Sequence, residues 1–191
     1  MHFRPVRRHQ LLRSGNKLRA LLKDSKNFCA IKNSLYLCTM TNDLRLNLPP
    51  YDVRLGGTKE HPTIFDVLRR RYVALTPEEW VRQHFVHFLI AHKGYPQTLL
   101  ANEVRLQVGE KRLRADTVVY DTALKPRMII EYKAPHIALT QRVFDQITVY
   151  NMLLHVDFLI VTNGQEHYCC RMDYEHERYD FLEGIPEYGA L

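Results

Sequence analysis

Between Thr76 and Pro96 the chain reads TPEEWVRQHFVHFLIAHKGYP, in which Val81, Phe85, Phe88 and Leu89 recur at the spacing of one helical face. Thr76 supplies an N-cap, Pro77 takes the first helical position, and Glu79 three residues after the cap completes a capping box. Gly94 and Pro96 end the helix. The period then changes to two. In NEVRLQVG, Val104, Leu106 and Val108 alternate with Glu103, Arg105 and Gln107, and Gly109 with Glu110 predicts a tight turn into a second strand, KRLRADTVVYD. RMIIEYKAP predicts a third strand closed by Pro135, and TQRVFDQITVYNMLLH a second helix from an N-cap at Thr140. DFLIVTNG and HYCCRMDY predict two further strands, and the terminal GIPEYGAL predicts irregular structure. Ahead of Thr76, Pro49 and Pro50 and then Gly56 and Gly57 predict an extended, turn-rich lead-in. The order of elements predicts an α/β domain, a mixed β-sheet flanked by helices on both faces.

Composition narrows this picture. With 191 residues, 46% hydrophobic and 25% charged, the chain supports one good core, so one domain with an appendage is expected. The net charge of +6 is unevenly placed: residues 1–39 hold nine Lys or Arg against Asp24 alone, while residues 40–191 hold eighteen bases against twenty acids. Residues 1–39 therefore admit three readings: a basic arm, an organelle-type presequence, or sequence upstream of a true start at Met40. The change to ordinary composition at Met40 favours the start there, with residues 40–191 as the domain. No apolar run of about 18 residues is present, which predicts no membrane-spanning helix. Cys29, Cys38, Cys169 and Cys170 form no C-x-x-C pair, which points to free thiols in a reducing cytoplasm and away from zinc.

Within the third strand, IIEYKAP places Glu131 and Lys133 two residues apart and therefore on one face. Asp116 lies inside the preceding apolar strand, where a carboxylate is costly without a partner. If the two strands are neighbours, two carboxylates and one ammonium meet at one edge of the sheet. Two close carboxylates require a cation, and a hard divalent ion such as Mg²⁺ supplies oxygen-ligand chemistry suited to a phosphodiester. The ordinary alternatives are a solvated Glu131–Lys133 ion pair and pairing of Asp116 with Arg112 or Arg114. Glu79 is a further candidate metal ligand, although the capping box already accounts for it. His84, His87 and His92 share a helix with no Cys or acid to complete a zinc set, so packed or surface histidines are expected.

Asp116, followed by Glu131-Tyr132-Lys133 on a short apolar strand, resembles the D…(D/E)-x-K pattern of the PD-(D/E)XK nuclease superfamily. Arg114 and Ala115 stand before Asp116, where the nominal pattern has Pro. In the next helix, Gln146-Ile147-Thr148-Val149-Tyr150 matches the Q-x-x-x-Y element of type I restriction R subunits and RecB-like nucleases. TPEEWVRQ, RADTVVYD, IIEYKAP, DQITVYN and VTNG together resemble the N-terminal nuclease domain of type I restriction enzyme R proteins, including short stand-alone forms, over about residues 45 to 185. The resemblance implies a restriction-endonuclease-like core and Mg²⁺-dependent endonucleolytic cleavage of DNA, with Mn²⁺ as a substitute ion. It implies metal on Asp116 and Glu131, assistance from Lys133, and a DNA-binding or supporting role for Gln146 and Tyr150. The sequence contains no G-x-x-x-x-G-K-[ST] loop, so ATP-driven translocation is expected to need a separate helicase, and a methyltransferase subunit is a further expected partner.

Two other readings keep the fold: a non-catalytic nucleic-acid-binding subunit, and a protein-interaction domain with a decayed site. The intact acid, acid and lysine set argues against decay. Arg142, Gln146 and Tyr150 are spaced i, i+4 and i+8, which alone describes a polar boundary stripe beside Val143, Ile147 and Leu154; Arg142 is a candidate phosphate contact. Gln146→Ala and Tyr150→Phe are expected to fold normally and keep metal affinity but lose cleavage or DNA binding. Wild-type behaviour in both assays would return these residues to the boundary stripe.

Overall fold

The computed structural model describes residues 45–108 and 110–191, apart from the side chains of Val108, Lys111, Gln146, Val149, Tyr150, Met152 and Leu153. The readings of residues 1–39, of the start at Met40 and of Gly109 lie outside the described residues. Helix α1, Pro77–His92, begins as its sequence directs: the Thr76 hydroxyl accepts the Glu79 N–H at 3.0 Å, and Glu78 and Glu79 lie at the positive end of the helix dipole. It stops where Lys93 and Tyr95 both donate to the Leu89 carbonyl, with Gly94 at φ 70°, a left-handed conformation that favours glycine.

A six-stranded mixed sheet follows, formed by β4 (Leu100–Val108), β5 (Lys111–Tyr120), β6 (Pro126–Tyr132), β7 (Phe158–Thr162), β8 (His167–Asp173) and β9 (Arg178–Leu182), in that spatial order. All pairs are antiparallel except β6 with β7, whose parallel crossover is helix α2, Gln141–Leu154. Strand β6 is buried on both faces. Met128, Ile130 and Tyr132 pack with Val81, Phe85 and Leu89 of α1. On the other face, Ile129, with Leu159 and Val161 of β7, packs against Val143, Phe144 and Ile147 of α2. Alternation along one strand thus builds two cores, and each fully buried aliphatic or aromatic side chain contributes about 1.5 to 3 kcal/mol. Adjacent Cys169 and Cys170 divide between the two cores as free thiols, and burial pushes them up to about 12 and about 11. This is the helix-flanked mixed sheet expected of a restriction-endonuclease-like core.

Two segments differ from the expectation. The lead-in is a three-stranded antiparallel sheet of β1 (Leu55–Gly57), β2 (Pro62–Asp66) and β3 (Arg71–Ala74). Its strands are too short to show a period, and only Ile64 and Asp66 among their residues are buried. Strand β9 is an edge whose first four residues are exposed, so its sequence RYDFL shows no buried face; pairing with β8 makes it a strand. Among the described residues no helix is long and apolar enough to cross a membrane. Thr76→Ala, which removes the cap of α1, is expected to lower the stability of the fold by about 0.5 to 2 kcal/mol in urea unfolding. An unchanged midpoint and slope would show that the cap contributes nothing.

Candidate functional site

Both ladders of β5 are interrupted at Asp116. On the β6 side, pairing runs from Tyr120 to Thr117↔Ile130 and stops, while β6 continues against β7 through Tyr132↔Thr162. On the β4 side, Asn102↔Thr117 and Val104↔Ala115 are paired, but Glu103 between them sits at φ 60°, a strained conformation for a side chain of its size. The same register sets Asp116 beside Glu103 on one side and Glu131 on the other. The Asp116 carboxylate fills the opening left by the backbone, and its Oδ2 accepts the Tyr132 N–H at 3.0 Å. Tyr132 is pinned again by its hydroxyl, which donates to Thr117 Oγ1 at 3.1 Å. The residue between Glu131 and Lys133 is therefore fixed at backbone and side chain.

Glu131 and Lys133 lie on one face, as period two requires, and the Lys133 Nζ donates to Glu131 Oε1 at 2.6 Å. Glu131 is only 4% exposed and Asp116 8%. Burial, and then the charge of Asp116, push the Glu131 carboxyl up to about 7 even though the Lys133 bond opposes the shift. Burial alone would lower the Lys133 ammonium, but its bond to Glu131 and the charges of Glu131, Asp116 and Glu78 outweigh that and raise it. The structure therefore brings together Asp116, Glu131 and Lys133 where the β5 ladders are interrupted, with both carboxylates buried.

The partner of Asp116 is neither Arg112 nor Arg114. Arg114 pairs with Glu103 at 2.6 Å, and Asp116 Oδ1 accepts instead from Arg82 of α1 at 3.0 Å. Arg82 is 2% exposed and also meets Glu79 at 3.1 Å, Glu103 at 2.5 Å and Glu78 at 3.6 Å. Both terminal nitrogens are taken up by carboxylates, and its buried Nε has no hydrogen-bond partner. Sequence reasoning missed this residue. The available signal was its place three and four residues after Glu79 and Glu78, beside the apolar stripe of α1.

At Glu79 the structure shows the Thr76 cap of the capping-box reading, and its carboxylate turns to neighbouring cations. Its N–H is capped by Thr76, while its carboxylate accepts from Arg69 at 3.0 and 3.1 Å, Arg82 at 3.1 Å and Gln83 at 2.8 Å. The bonds form a closed circuit. Tyr132 donates to Thr117, Thr117 to Asn102 at 2.6 Å and Asn102 to Asp66 at 2.9 Å; Arg69 joins Asp66 to Glu79, and Arg82 joins Glu79 to Asp116. Burial opposes ionisation of Asp66, but the backbone N–H of Arg69 and the side chains of Asn102 and Arg69 hold it below the usual carboxylate range. The small sheet is thereby wired to the large one. His84 is packed against Trp80 and Tyr51 and is pushed down to about 4 by burial; His87 stacks on Tyr51 and His92 on Phe88. Arg142 is exposed in the first turn of α2, and Gln146 and Tyr150 follow on that helix, their side chains outside the described residues.

Among the described residues no group of three or more His, Cys, Asp or Glu converges on a metal-sized point. Two carboxylates do converge, Asp116 and Glu131. A pair of acids with water and phosphate oxygens completing the shell is the usual protein share of a Mg²⁺ site. The two carboxylates lie within each other's electrostatic reach and offer oxygen ligands, so the donor set fits a hard divalent ion.

A profile of the family described as type I restriction enzyme R protein N terminus matches residues 77–186, more than half of the chain. No match was found among curated proteins. A similar solved structure is a fragment of a protein assigned as an HsdR subunit of a type I restriction enzyme from Vibrio vulnificus YJ016. The two share 18% identity over 59% of this chain and 24% of that one, with a TM-score of 0.43.

The raised Glu131 carboxyl generates a pH dependence in metal-free protein. A carboxyl raised in the folded state adds stability below its unfolded value near 4.5, and that stability is lost as pH rises through about 7. The groups facing it are Asp116, Lys133 and Glu78. Glu131→Gln is therefore expected to raise the melting temperature at pH 7.5 and to leave it nearly unchanged at pH 4. Parallel pH profiles of the two proteins would show that Glu131 is not held above its ordinary value.

Proposed function

Because the chain belongs to the family of type I restriction enzyme R protein N-terminal domains, we propose that it is a divalent-metal-dependent DNA endonuclease acting through Asp116, Glu131 and Lys133. The observation that carries this reading is the convergence of these three side chains where the β5 ladders are interrupted. Mg²⁺, or Mn²⁺ in its place, would supply charge neutralisation at the scissile phosphate and a more acidic bound water. Asp116 and Glu131 would hold the ion. The Tyr132 N–H keeps Asp116 turned into the opening, so its carboxylate is positioned before substrate arrives.

Lys133 is raised, so it remains an ammonium at neutral pH and serves as a fixed positive charge, not as a base. Its partner in the structure is Glu131, one of the two carboxylates proposed to hold the ion, so the ammonium would lie beside the phosphate that the ion would neutralise. Gln146 and Tyr150, from the helix that follows β6, are proposed to contact or support the DNA strand. The proposed partners are DNA and, within a restriction complex, a separate helicase or methyltransferase subunit. The reduced state of Cys169 and Cys170 is consistent with a cytoplasmic setting.

The two charges of the Glu-Tyr-Lys segment separate this reading from a simple ion pair. Asp116→Ala and Glu131→Ala are expected to abolish Mg²⁺ or Mn²⁺ binding in calorimetric titration and cleavage of plasmid DNA. Lys133→Ala is expected to retain the ion and to cut at least about a hundredfold more slowly, since each tenfold corresponds to about 1.36 kcal/mol of transition-state stabilisation. A simple ion pair predicts instead similar losses of stability for Glu131→Ala and Lys133→Ala with no metal effect, and a wild type that shows no metal-linked heat would remove the nuclease assignment.

A further inference from the structure

The ion pairs of Asp116 belong to one network around Arg82. Its acids are Asp66, Glu78, Glu79, Glu103 and Asp116, and its bases are Arg69, Arg82 and Arg114. Glu131 and Lys133 pair with each other beside it.

The geometry says where a second ion is replaced. Two-metal hydrolytic sites set their ions about 3.5 to 4 Å apart and share a carboxylate between them. In this protein Asp116 divides its oxygens: Oδ1 accepts from the Arg82 guanidinium at 3.0 Å, and Oδ2 faces the Tyr132 N–H on the side of Glu131. The acids beyond Asp116, which are Glu79, Glu103 and Glu78, surround Arg82 at 2.5 to 3.6 Å. That carboxylate nest already contains a cation, and a guanidinium 2% exposed and bonded by both terminal nitrogens neither loses its proton nor leaves easily.

We propose that the Arg82 guanidinium occupies the place of a second divalent ion, so that the site takes a single Mg²⁺ or Mn²⁺ between Asp116 and Glu131. The inference rests on the metal-dependent reading of Asp116 and Glu131 and goes beyond it in fixing the stoichiometry and the residue that sets it. Arg82 then acts as a positioning residue. It keeps Asp116 ionised and oriented in the absence of metal, and it restricts the chemistry to one ion, with Lys133 as the other fixed positive charge at the phosphate.

The test counts ions without measuring cleavage. EDTA-treated full-length protein is titrated with Mn²⁺ alone, and free Mn²⁺ is read by electron paramagnetic resonance. The wild type is expected to saturate at one ion per chain, Arg82→Lys at one, Asp116→Asn at none, and Arg82→Gln at two, the second ion entering the vacated carboxylate nest. Thermal unfolding with and without Mn²⁺ is followed in parallel, and Arg82→Gln is expected to gain more from the ion than the wild type does. Two ions on the wild type, or one on a folded Arg82→Gln protein, would overturn the inference while leaving the metal reading in place. No ion on the wild type would remove both. If Arg82→Gln does not fold even with Mn²⁺, the counts on the wild type and on Arg82→Lys decide, and two ions on either overturns the inference.

Discussion

The bond from Arg82 to Asp116 joins helix α1 to the place where the central sheet opens, and much of the molecule is arranged around it. A buried guanidinium is tolerated only when its donors meet acids, and a buried carboxylate only when it meets a cation. Arg82 meets four acids, and one of them, Glu79, passes the connection through Arg69 to Asp66 in the small sheet. Removing either end of the Arg82–Asp116 pair would strand a charge in the interior, a loss of about 3 to 5 kcal/mol. The three-stranded sheet is thus more than a lead-in. Its Asp66 and the turn that follows it supply the charge and hydrogen bonds that close the circuit back to Tyr132.

The second constraint is the burial of Glu131 beside Asp116. A strand built from Met128, Ile129 and Ile130 gains stability from burial on both faces, and placing Glu131 and Lys133 at its end gives some of that up. In metal-free protein the cost is visible in the raised Glu131 carboxyl, which is buried beside Asp116 and pairs with Lys133. Such a cost is characteristic of a functional position, where local preference is sacrificed to chemistry. A divalent ion held by the two carboxylates, as proposed, would lower this cost, so the stability of the fold and the proposed activity would share the same residues.

The sequence made the large sheet and its two helices legible because their strands are long enough to show a period and their helices carry caps. Thr76, Gly94, the alternation through Val104 and Leu106, and the apolar β6 each left a local signal. Strands β1 to β3 and β9 left none: they are short, and β9 buries so little that pairing with β8 alone defines it. The trio Asp116, Glu131 and Lys133 was legible because neighbouring strands in sequence are neighbours in space and two-residue spacing fixes a face. Arg82 was not, because its partner Asp116 lies 34 residues away and the interaction exists only once α1 crosses the opened ladder. The same holds for Glu103, whose strained backbone is a product of the interrupted pairing and has no signature in its neighbours.

The proposed chemistry depends on a divalent ion between Asp116 and Glu131. The most direct measurement is an anomalous difference map from crystals of the protein grown with Mn²⁺. One peak is expected, about 2 to 2.5 Å from oxygens of both carboxylates, with the Arg82–Asp116 bond still in place. A map with no peak there, or with the ion seated among Glu79, Glu103 and a displaced Arg82, would contradict it.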